Sequence, residues 1–64
     1  MKLNAKKLRI AMARNECSPR RLAELVGVSH GAINNYLSGK RNPKEEMLGK
    51  IAHALNVDPE TLVD

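Results

Sequence analysis

Residues 19–38 read PRRLAELVGVSHGAINNYLS, two short helical patterns with one tight stop between them. Leu22 and Val26 recur at helical spacing in the first, and Ala23 is small where two helices must cross closely. Pro19 stands in a first turn, where a missing N–H is no loss. Gly27 falls where that helix ends and a positive φ is expected. In the second pattern Ile33 and Tyr36 face inward, Ser29 precedes it as a cap, and Gly39 follows it as a stop. Val28 fills an inward position in the turn.

A pair of this kind is a helix-turn-helix, in which the first helix braces the second so that the second can lie in the major groove of DNA. The rest of the chain is punctuated in the same way. Four helix starts carry a polar cap preceded by an apolar residue able to pack on the fourth helical position: Leu3 and Leu8 around Asn4, Cys17 and Leu22 around Ser18, Val28 and Ile33 around Ser29, Val57 and Leu62 around Asp58. The spacing predicts five short helices. They are expected at about Ala5–Asn15, Pro19–Val26, His30–Ser38, Glu45–Leu55 and Pro59–Val63, with Lys40, Arg41, Asn42 and Pro43 as a loop. The inward stripes are Leu8, Ala11 and Met12 in the first helix and Met47, Leu48, Ile51, Ala52 and Leu55 in the fourth. Glu45 and Glu46 complement the fourth helix's dipole.

Sixty-four residues with 42% apolar content suit one compact domain, 1–64, with no internal repeat. The longest apolar run is too short to cross a membrane, and the basic first ten residues lead into no apolar block like that of a signal peptide. A cytoplasmic protein is expected. One cysteine and two histidines offer no zinc-ligand spacing, so no metal or cofactor is expected, and Cys17 reads as core rather than nucleophile because no motif places a base beside it. An enzyme is not expected.

The charge is polarised. Residues 1–41 hold nine Lys/Arg against Glu16 and Glu24, a net of +7; residues 42–64 hold Lys44 and Lys50 against five carboxylates, a net of −3. One basic side suits a polyanion. Tyr36, the lone aromatic residue, is assigned to the core, which leaves no exposed stacking platform and argues against single-stranded nucleic acid.

On LAELVGVS followed by AINNYLSGKRNP, and on IAHALNVDPETL, the chain resembles the lambda-repressor-like, XRE/Cro-type family of helix-turn-helix regulators. The resemblance implies an all-α, five-helix DNA-binding domain that binds operator DNA as a dimer and controls transcription. Three positions depart from the family pattern. Pro19 replaces a glutamine that contacts phosphate and supports a recognition-helix residue, leaving Ser18 and Arg20 to substitute. Gly31 stands where many relatives carry a base-reading side chain. Met12 and Leu37 stand where relatives place an Arg–Glu ion pair, and the joint change predicts that the two side chains pack on each other, the alternative being an exposed Leu37 that serves a dimer interface.

The outward face near the start of the third helix nominates His30, Gly31, Asn34 and Asn35 for base contact, with Ala32 lining it. Asn35 is foremost, since an amide offers adenine a donor and an acceptor together. The alternative for each is a phosphate or solvent contact. Ser18, Arg20, Arg21, Ser29, Lys40 and Arg41 are expected at phosphates, the two serines also as caps, against the alternative of solvated surface. Lys6, Lys7 and Arg9 are less clearly placed. The combined reading is a repressor acting as a homodimer on double-stranded DNA with a two-fold-symmetric site, its dimer contact in the C-terminal helix region with Leu62 and Val63 as candidates, the alternative for both being ordinary core closure. A small helical protein-interaction module, adaptor or antitoxin-like, is the alternative, and duplex titration separates the two.

Overall fold

The computed structural model describes residues 2–64, and its elements follow the capping residues closely. Helix α1 spans Ala5–Arg14, α2 Pro19–Val26, α3 His30–Ser38 and α4 Glu45–Ala54. The side chains of Asn4, Ser18 and Ser29 accept the N–H groups of Lys7, Arg21 and Ala32, three residues on in each case. Each cap satisfies one of the amides that a helix start leaves unpartnered. Gly27 and Gly39 end α2 and α3 in the left-handed region, at φ 76° and 80°.

Helices α1 and α4 end differently. Each stops one residue before the expected end, with Asn15 and Leu55 as caps, and the chain then turns through Glu16 at φ 50° and Asn56 at φ 54°. Asparagine tolerates this conformation, whereas for glutamate it carries steric strain between Cβ and the carbonyl. The Asn15 side-chain amide donates to Ala11 C=O at 3.0 Å and to Leu55 C=O at 2.7 Å. One side chain thus joins the two helix ends.

The expected fifth helix is instead a single 3₁₀ turn, Pro59–Leu62. The Asp58 side chain accepts from Glu60 N–H, two residues on rather than three, and Val63 is already extended at φ −117° and ψ 163°. Leu3 and Val63 form an antiparallel bridge. Around it Asn4 N–H donates to Leu62 C=O at 2.8 Å and Asp64 N–H to Lys2 C=O at 3.1 Å. A longer helix would withdraw these backbone groups from the pairing. The architecture is therefore four α-helices with a 3₁₀ turn, closed by a bridge between residues 2–4 and 62–64.

Helix α2 packs on α3 and α4, α1 packs on α3 and the closing turn, and α4 also meets that turn. The core holds Leu3, Leu8, Ala11, Met12, Leu22, Ala23, Val26, Ile33, Tyr36, Leu48, Ile51, Ala52, Leu55, Leu62 and Val63, so both expected stripes are inward, with Met47 only half-buried at the margin. Leu62 and Val63 are core residues. Their burial favours the core-closure alternative for these two side chains over a direct part in a dimer contact. Met12 is buried, and Leu37 is half-buried against the same core. Cys17 also packs at the core margin, where burial pushes its thiol pKa up and the Arg21 charge partly offsets the shift.

Candidate nucleic-acid interface

Ile33 and Tyr36 fix the inward side of α3, and that decides which side chains face out. His30, Gly31 and Asn34 are exposed, Asn35 and Ala32 half-buried. Gly31 and Asn35 are four residues apart and so are His30 and Asn34, which makes two neighbouring rows on one helix surface. A Cβ built on Gly31 would meet only Ser29 Oγ, at 3.9 Å. Glycine is therefore not required here by packing within the protein.

The flanking groups are laid out by the two helix starts and the loop after α3. Arg20, Arg21, Lys40 and Arg41 are all exposed. Ser18 and Ser29 are exposed caps whose Oγ atoms accept N–H groups at 3.1 Å. Capping uses a lone pair of each hydroxyl, and the hydroxyl proton is not consumed by it. A serine can therefore cap its helix and donate to an anion at the helix start. The loop is anchored to α3 by Arg41 N–H on Asn35 C=O at 3.2 Å, and Ser38 Oγ donates to the same carbonyl at 3.3 Å. Asn35 thus presents its side chain from a backbone bonded on the loop side.

Two contacts made by basic side chains of α1 escaped the sequence reading. Arg9 donates through its guanidinium to Leu37 C=O at 3.0 Å, so this cation sits on the carbonyl end of α3, where the helix dipole favours it. Lys7 Nζ donates to Val63 C=O at 2.9 Å, which assigns it to the closure. Nothing in local spacing signals either contact, because the partners lie 28 and 56 residues away. Arg9 thus supplies a polar tie between α1 and α3, beside the apolar Met12 and Leu37.

Among the described residues no helix is long and apolar enough to cross a membrane, and no group of His, Cys, Asp and Glu gathers as a metal site. A braced helix with a polar outward face, basic groups on both flanks and two capped helix starts defines a DNA-binding helix-turn-helix protein. The helix-turn-helix family matches residues 6–62, and the chain belongs to this XRE/Cro-type family of non-enzymatic DNA-binding regulators. Among solved structures, a candidate DNA-binding protein from Bacteroides fragilis is 38% identical, with all of both chains covered and a TM-score of 0.87. The restriction-modification controller protein C.AhdI from Aeromonas hydrophila is 26% identical over 89% of this chain and 86% of its own, with a TM-score of 0.83. The clp gene regulator ClgR from C. glutamicum is 28% identical over 88% and 73%, with a TM-score of 0.80. No curated protein gives a significant match.

Proposed function

We propose that the protein is a sequence-specific regulator of transcription, a repressor that binds a two-fold-symmetric operator as a homodimer in the prokaryotic cytosol or nucleoid. The observation that carries this reading is the outward face of α3, with its exposed polar side chains and basic flanks. Asn35 reads adenine through its amide, His30 and Asn34 contact neighbouring base edges, and Gly31 admits the helix backbone close to the groove floor. Ser18, Arg20, Arg21, Ser29, Lys40 and Arg41 hold phosphates and set the register of the helix in the groove. The similarity to a restriction-modification controller and to a clp gene regulator supports a regulatory use of that binding.

Two recognition helices entering successive major grooves put half-site centres about 34 Å apart. With Cα extents of 24 × 23 × 19 Å, two copies fit side by side at that spacing. Selection of bound sequences from a random duplex pool should return an inverted repeat, and a footprint should show two protected half-sites. Neutralising about four to six phosphates per subunit gives a steep salt dependence, with a log–log slope of about −0.9 per phosphate. No duplex binding at low salt would remove the reading in favour of a protein-interaction module. A single asymmetric half-site occupied by one copy would remove the dimer.

A further inference from the structure

Arg41 stands between two anchors on neighbouring residues. Its own N–H is bonded to Asn35 C=O, which ties the loop to α3. The next residue, Asn42, accepts Leu3 N–H through Oδ1 at 2.9 Å, across 39 positions of sequence. Pro43 after it is buried. Leu3 is itself buried and bridged to Val63, with the Asn4–Leu62 and Asp64–Lys2 hydrogen bonds on either side and Asn4 Nδ2 on Asp64 Oδ1 at 2.7 Å. A connection whose composition favours mobility is thus pinned from both sides, and the segment that pins it is held in turn by residues 62–64.

An exposed arginine on an unrestrained loop must be ordered when it meets a phosphate, and that ordering opposes binding. We infer that Asn42 is a positioning residue: by holding the amide of Leu3 it fixes the backbone on which Arg41 stands, so that Arg41 meets duplex phosphate already ordered. The inference rests on the proposed DNA-binding reading. It also makes the closure between residues 2–4 and 62–64 part of the apparatus for affinity, since loosening the closure frees the loop. The competing account is that Asn42 only satisfies a partly buried N–H and contributes stability alone.

A double-mutant cycle separates the two. Binding to a fluorescein-labelled random-sequence duplex at low salt is measured for wild type, Asn42→Ala, Arg41→Ala, Arg20→Ala and the two doubles containing Asn42→Ala, at a temperature where thermal unfolding shows every variant folded. Asn42→Ala should weaken binding roughly three- to tenfold, the scale of ordering one long side chain. Its log–log salt slope should stay at the wild-type value, because the phosphate contact is still made, whereas Arg41→Ala should lower the slope by about 0.9. In the Arg41→Ala background Asn42→Ala should change nothing; in the Arg20→Ala background it should have its full effect. If Asn42→Ala fails to fold, Asn42→Ser, too short to span to Leu3 yet still polar, takes its place in the same cycle. A full penalty persisting without Arg41, or a penalty that vanishes equally without Arg20, overturns the inference while leaving DNA binding intact. So does an Arg41→Ala variant that binds like wild type. A flat wild-type titration is a different failure, that of the DNA-binding reading itself.

Discussion

The helix pair α2–α3 and the frame built from α1, α4 and the closing turn hold one core, but they are made by different means. The pair is specified locally. Each of its helices begins at a serine cap and ends at a glycine in the left-handed region, where a Cβ would meet nothing within 4 Å but the backbone conformation suits glycine. The frame is specified at long range. Its helices run out into Glu16 and Asn56 at positive φ, and they are held by Asn15 on Leu55 C=O, Lys7 on Val63 C=O and the Leu3–Val63 bridge. A recognition element built from local signals keeps its shape whatever the outward face carries. A frame built from distant contacts instead decides how firmly that element and its loop are presented.

The largest expected effect tests the junction between the two regions. Met12→Arg alone should destabilise the protein by roughly 3 kcal/mol or more, because it buries a charge without a partner. Adding Leu37→Glu should recover much of that loss, as an ion pair takes the place of apolar packing. Chemical unfolding of both singles and the double checks this. A double no more stable than the sum of the singles would show that the two positions are not coupled.

On the outward face, Asn35→Ala should lose roughly 1–3 kcal/mol of binding on the preferred duplex and little on random DNA, the signature of a base contact. Equal losses on both would move Asn35 among the phosphate ligands. Electrophoretic competition between the two duplexes gives the ratio directly.

Punctuation can be exchanged between the regions. Glu16→Gly should raise stability by about 1 kcal/mol by relieving a left-handed glutamate, and Gly27→Ala should lower it by a similar amount by imposing the same strain on α2. Thermal unfolding reads both. The same sign for both substitutions would break the contrast drawn above.

The smallest effects use the two helical glycines. Gly49 in α4 has nothing within 4 Å of a built Cβ, so Gly49→Ala should stabilise by about 0.5–1 kcal/mol and leave DNA binding unchanged. Gly31→Ala meets only Ser29 Oγ and should be tolerated equally well in folding, yet it should weaken duplex binding where the helix backbone approaches the groove. Unfolding and binding measured on both variants show whether Gly31 is there for DNA. Undiminished binding by Gly31→Ala would remove its role.

What the sequence determined by itself is the four α-helices, to within a residue at their ends, and the outward face of the α2–α3 pair. Caps, prolines and glycines act within four residues, and inward stripes repeat at helical spacing, so α2, α3 and the rows His30/Asn34 and Gly31/Asn35 follow from the chain alone. The helix-turn-helix pattern and the basic half pointed to DNA, and the family resemblance added the expectation of an operator, a dimer and control of transcription. Only the tertiary structure decided how the domain closes. Val57, Asp58 and Pro59 signal a helix start in the same manner as the other caps, yet the chain makes one 3₁₀ turn there because residues 62–64 are drawn into pairing with residues 2–4. The same closure took Leu62 and Val63 into the core. Asn42, Arg9 and Asn15 each carry a polar side chain whose partner lies 28 to 40 residues off. No local pattern can name such a partner, because a hydrogen bond of that reach depends on the whole path of the chain between its ends.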